Sequence, residues 1–202
     1  VVIGSNDYDS IYQYVTKTEE GYEVVKTIDE ELKTSTARLE QKTVVAQIGA
    51  NQYYTLNDAV QSIQGTEETT INILRDIEIL STMDPIEIAE DKNIVIDLNG
   101  NNIESAMKSV IINKGNLRIT DNQQKGSIIF NLPAGVNSDY TIGLINESTG
   151  RLTIDNNVKI LGKGLYYYNI ISNAGILNIT NVTIDSKSSS NVNNSYSRII
   201  YN

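Results

Sequence analysis

Three aspartates, Asp97, Asp121 and Asp155, each follow a short apolar run in this 202-residue chain, and they are its first candidates for chemistry. Two or three carboxylates within about 10 Å of one another in a groove can cleave a glycosidic bond, one as acid and another as base or nucleophile. The series is imperfect. Its next position is Asn181, and Asp97 is offset by one residue from Asp121 within its phrase. An aspartate after a strand has a second occupation, a turn in which the carboxylate accepts backbone N–H groups, and the irregular spacing favours that role.

Two further groups have side chains of the right type. Asp84, Glu87, Glu90 and Asp91 supply oxygen atoms for calcium, but their spacing follows no recognised calcium loop, and a solvated acidic face is the stronger reading. Tyr166, Tyr167 and Tyr168 form the densest aromatic run, suited to stacking on a sugar or anchoring a protein, although strand alternation would bury at least one of them. Histidine and cysteine are both absent, which removes the commonest general base, thiolate metal sites and disulfides. No phosphate-cradling glycine loop, dinucleotide fingerprint or activated serine motif is present.

The net charge of -9 disfavours a nucleic-acid surface, which needs clustered Lys and Arg. The charge is uneven: residues 46–110 hold eleven acidic and three basic groups, whereas residues 111–202 hold five and eight. No apolar run approaches the roughly 20 residues that span a bilayer. The chain does not start with Met and shows no signal peptide, so it reads as a mature or trimmed piece.

The elements that would position these side chains are set by a repeat. The phrase Ile111-Ile112-Asn113-Lys114-Gly115-Asn116-Leu117-Arg118-Ile119 returns from Leu144 to Ile154 and from Ile170 to Ile179, and starts again at Ile199. Gly115 and Gly150 are 35 residues apart, Gly150 and Gly175 only 25, and the surplus falls at 131–140 as an expected loop. Repetition at this interval marks a solenoid, whose units bury their apolar faces against one another. Three short strands per unit fit a parallel β-helix better than a propeller blade or a leucine-rich horseshoe. Asn113, Asn146 and Asn173 (or Ser172) should stack at one corner and bond along the axis.

Upstream, 44–49, 70–74, 77–80, 86–88 and 93–98 read as strands, and Asn99-Gly100-Asn101-Asn102 as a turn. Leu56, Ala59, Val60 and Ile63 share one side of a short helix with Thr55 as N-cap. Residues 1–43 form a separate leader: strands at 12–16 and 22–28 joined through Glu19-Glu20-Gly21, then a helix or linker from Asp29 to Gln41.

The phrases Tyr54-Thr55-Leu56-Asn57-Asp58-Ala59-Val60, Ile71-Asn72-Ile73-Leu74-Arg75-Asp76, Ile94 to Ile103 and Asn113 to Asp121 resemble the right-handed β-helix domains of the pectate-lyase-like superfamily. The closest likeness is to domains of large surface proteins of Gram-positive gut bacteria, and it covers residues 44–202. The resemblance implies an all-β, right-handed parallel β-helix of roughly six coils, capped at its N-terminal end by the helix and truncated at its C-terminal end. It also implies an extracellular or cell-surface location and a stalk or adhesion role toward a glycan or a host or cell-surface protein. It carries over no catalytic residue. A polysaccharide lyase or glycoside hydrolase working through the aspartates, with or without calcium, is the alternative.

Overall fold

A computed structural model describes residues 21–29, 34–80, 83–107, 109–131, 141–163, 168–187 and 198–202. The chain divides into two compact units, Val1–Val44 and Val45–Asn202. In the first, β1 (Tyr22–Asp29) and β2 (Thr34–Gln41) pair antiparallel over their full length, and the Lys42 N–H donates to the Gly21 carbonyl at 2.7 Å. The strand expected at 22–28 is present. In place of the helix or linker expected over 29–41, Asp29 ends β1, residues 30–33 lie outside the described residues, and Thr34–Gln41 form the strand paired with β1. Its Thr34-Ser35-Thr36-Ala37 start lacks apolar alternation but has β-branched residues at every second position, and a paired neighbour decides the outcome. The strand expected at 12–16 lies outside the described residues.

The second unit is a β-solenoid of three parallel sheets. The first sheet holds β7 (Ile86–Ile88), β10 (Ile111–Asn113), β13 (Thr141–Asn146), β16 (Tyr168–Asn173) and β19 (Arg198–Tyr201). The second holds β5 (Thr69–Ile73), β8 (Asn93–Asp97), β11 (Asn116–Thr120), β14 (Arg151–Ile154) and β17 (Ile176–Ile179). The third holds β6 (Ile77–Ile79), β9 (Asn102–Ser105), β12 (Ser127–Asn131), β15 (Lys159–Lys163) and β18 (Thr183–Lys187). A complete winding takes one strand from each sheet in turn, so β7 to β18 make four windings, preceded by β5 and β6 and followed by β19.

Register explains why the winding is stable. Ile86, Ile111, Leu144 and Ile171 lie opposite one another through the first sheet, and Ile94, Leu117, Leu152 and Leu177 through the second. Ile103, Ile128, Ile160 and Ile184 do the same in the third. These rows fill a single apolar core, and each fully buried Ile or Leu is worth about 1.5–3 kcal/mol. A one-residue slip would turn a whole row outward. The expected loop at 131–140 begins where β12 ends at Asn131, and residues 132–140 lie outside the described residues.

Fewer windings form than the roughly six expected, because residues 46–62 build something else. β3 (Ala46–Ile48) and β4 (Asn51–Tyr53) form an antiparallel hairpin, and β3 also pairs antiparallel with β5. The second sheet is thereby extended past β5 by a hairpin whose outermost strand is β4. α1 (Leu56–Ser62) follows, with the Asp58 N–H donating to Thr55 Oγ1 at 2.9 Å. Leu56, Ala59, Val60 and Ile63 are buried in the same core as the stacked rows. It is the one helix among the described residues, and none of them belongs to a helix long and apolar enough to cross a membrane.

Candidate functional site

Polar side chains meet backbone at two corners of each winding. At the corner between the first and second sheets the chemistry repeats. Asn113 Nδ2 donates to Asn146 Oδ1 at 2.7 Å, Asn146 Nδ2 to Asn173 Oδ1 at 2.7 Å, and Asn173 Nδ2 to Asn202 Oδ1 at 3.1 Å. Asn146 Nδ2 also reaches the carbonyls of Gly150 and Ile176 at 3.2 and 3.0 Å. The expected ladder is present, with Asn173 as its third rung and Asn202 as a fourth. Asn113 and Asn146 are each 1% exposed, so the amides are internal bonding groups with no access to a ligand.

The ladder has a defined bottom. Ile88 lies opposite Asn113 in the winding below and offers no donor. Asn113 Oδ1 is in consequence the buried side-chain polar atom without a hydrogen bond among the described residues. The glycines of the phrase serve close approach: a Cβ on Gly175 would run into the carbonyl oxygens of Gly150 and Glu147 in the adjoining winding.

The corner between the second and third sheets holds the aspartates, each used differently. Asp121 has no exposed surface. Its Oδ1 accepts from the Gly100 and Gln123 N–H groups at 2.7 and 3.2 Å, and its Oδ2 from Lys125 and Gly126 at 2.6 and 2.5 Å. Four donors on one carboxylate offset the cost of burying its charge. Asp97, 5% exposed, accepts from the Asn99 and Asn122 N–H groups at 2.9 and 3.1 Å and from Asn122 Nδ2 at 2.6 Å. Asn99 and Gly100 take positive φ values of 49° and 81°, as their turn requires.

Asp97 and Asp121 thus interlock two windings, each bonding the other's turn. Asp155 stands apart. It takes Arg118 Nε at 2.8 Å and Nη2 at 3.3 Å, and that hydrogen bond raises the guanidinium pKa above its ordinary value, against a smaller opposing effect of desolvation. Thr120 lies opposite Asp97, and Ile119 opposite Ile154, so Asp97 and Asp155 follow one row with the Thr120 winding between them. Two strand spacings amount to about 10 Å. Asp121 is one residue further along the chain.

The acidic group at 84–91 does not converge: Glu87 and Asp91 are drawn into separate pairs, and Asp84 lies on the wall of a concavity. Glu87 contacts Lys114 at 3.4 Å and Asp91 contacts Lys92 at 3.0 Å, the latter hydrogen bond lowering the Asp91 pKa despite slight desolvation. Among the described residues no three acidic side chains are placed to hold a metal ion. Tyr166 and Tyr167 lie outside the described residues, and Tyr168 begins β16 opposite Thr141.

One concavity went unread in the sequence. It encloses about 460 Å³ between the first turn of α1 and the segments 76–79 and 83–86. Leu56, Ile77, Ile79 and Ile86 give it apolar walls, and Asp58, Asp76, Glu78 and Asp84 give it acidic ones. Asp58 and Asp76 on its wall are 18 residues apart in sequence, and each segment looks like ordinary surface alone. The usable signal was the excess of acid over base in residues 46–110. Compared with known proteins, the chain matches no family model, no curated protein and no solved structure.

Proposed function

We propose that this chain is a non-catalytic structural segment of a secreted or wall-attached bacterial surface protein, serving as a stalk or adhesion surface outside the cell. In this reading the winding is right-handed and of the pectate-lyase-like kind, α1 caps its N-terminal end, and the parent protein belongs to a Gram-positive bacterium. Its contacts are with a glycan or with a host or cell-surface protein.

One observation carries the reading: the aspartates that would do chemistry are already occupied. Asp121 spends both oxygens on four backbone N–H groups with no exposed surface, and Asp97 spends both on a turn and the neighbouring winding. A general acid or nucleophile must reach the reacting atom within hydrogen-bond distance. A carboxylate buried on all sides by its own turn has no such path.

The test is incubation with polyuronides and mucin-type glycans, with and without calcium, assayed for new reducing ends and unsaturated products. The expected result is no product. Turnover that disappears in Asp97→Asn or Asp155→Asn would replace the structural reading with an enzymatic one. Cell fractionation with an antibody to the chain checks location, with the wall or culture medium expected and the cytosol contradicting it.

A further inference from the structure

The first strands of the three sheets end differently. β5 is covered by β3, and β7 packs beside α1, but among the described residues β6 pairs on one side alone, with β9. The Ile79 carbonyl accepts from the Ala106 N–H at 3.2 Å, so Ile79 directs its backbone groups toward β9. Neighbouring residues of a strand direct theirs to opposite sides, and Glu78 accordingly turns its N–H and C=O outward along the open edge. A bare parallel edge is a template for another strand.

The groove of about 460 Å³ adjoins this edge, within the roughly 300–1,000 Å³ typical of ligand sites. Beside it Met83 is 45% exposed and Leu80 46% exposed. Asp58, Asp76, Glu78 and Asp84 are exposed acids on its wall, and among the described residues no basic side chain lines it. Asp76 already accepts from the Asn102 N–H and Nδ2, which leaves Glu78 and Asp84 beside the edge as the acids facing the groove without a basic neighbour among the described residues of its lining. An unpaired strand edge selects an extended peptide, apolar walls select alternate apolar side chains, and such acids select cations.

We propose that this groove is a strand-docking site for an extended segment of a partner protein in which apolar residues alternate with lysine or arginine. The segment pairs with the outer edge of β6, inserts its apolar side chains beside Ile77, Ile79 and Met83, and places its cations against Glu78 and Asp84. Backbone pairing gives the affinity and the pockets give the specificity, as in other cases of strand addition. The site concerns recognition and goes beyond the structural role above.

The probe is a fluorescein-labelled seven-residue peptide alternating valine with lysine, titrated with the whole chain and read by fluorescence anisotropy. A valine–glutamate peptide and a lysine peptide N-methylated along one edge serve as comparisons. Saturable binding of the lysine peptide, at least tenfold weaker for both comparison peptides, is expected. Glu78→Lys and Asp84→Lys should each weaken it at least fivefold while the circular dichroism spectrum stays unchanged. Three results overturn the proposal: no binding of the lysine peptide at millimolar concentration, equal binding of the N-methylated peptide, or binding indifferent to both substitutions. Sedimentation showing a dimer that Glu78→Lys dissociates would overturn it too, by making a second copy the occupant.

Discussion

The two polar corners of the solenoid solve one problem in opposite ways. Between the first and second sheets, every winding above Ile88 sets the same amide on the same amide, Asn113 to Asn146 to Asn173 to Asn202. Between the second and third sheets, no two windings agree. Asp97 ties its own turn to the next, Asp121 gathers four backbone donors, Asp155 takes an arginine, and at Asn181 the chain turns on a positive φ of 54°. A group that donates and accepts can be stacked indefinitely. A carboxylate only accepts, so one stacked on another would repel it, and each must find its own donors.

That contrast yields predictions in which the corners behave differently. The largest effect is expected at the centre of the ladder. Asn146→Ala removes one accepted and three donated hydrogen bonds at a buried site and should cost about 3–4 kcal/mol in urea unfolding. In a cycle with Asn113→Ala the two losses should fall short of additive by about 1 kcal/mol or more. Asp97→Asn and Asp155→Asn share no hydrogen-bond partner, only the longer-range charge of Arg118, and should add within about 0.5 kcal/mol. Additivity at both corners would dissolve the comparison.

A middle-sized effect tests the bottom of the ladder. Ile88→Asn puts an amide opposite the unpartnered Asn113 Oδ1, whereas Ile86→Asn, opposite Ile111, gains nothing. Both lose apolar burial, yet Ile88→Asn should be the milder by about 2 kcal/mol, the value of satisfying two buried polar groups. Equal destabilisation would mean that Asn113 is already satisfied. The smallest effect belongs to Arg118→Ala, whose side chain is 43% exposed. Its unfolding free energy should change by no more than about 1 kcal/mol, and most of that change should vanish in high salt.

How much of this was legible follows from the same contrast. The apolar rows and the Asn ladder repeat, so Ile111, Leu144 and Ile171 could be aligned before any coordinates. The turn at Asn99 and the cap at Thr55 are local and were legible too. What escaped depends on pairing between unlike segments. β2 has Thr and Ser where an apolar alternation was sought, and β3 and β4 replace a winding because β3 pairs antiparallel on β5. The three aspartates looked like a series because each follows a strand. Their different partners arise from bonds between windings, such as Gly100 to Asp121, that no spacing records. The groove escaped for the same reason, since 54–58, 76–79 and 83–86 meet only in the folded unit.

The most direct measurement is the unfolding free energy of Asp121→Asn against the parent chain. If the carboxylate exists to hold two windings together, the amide would present hydrogens to the Lys125 and Gly126 N–H groups, and stability should fall by about 3 kcal/mol or more. Carboxylates kept for chemistry commonly hold stability down, and replacing them raises it or leaves it level. An unchanged or increased unfolding free energy for Asp121→Asn would contradict the structural account of this corner.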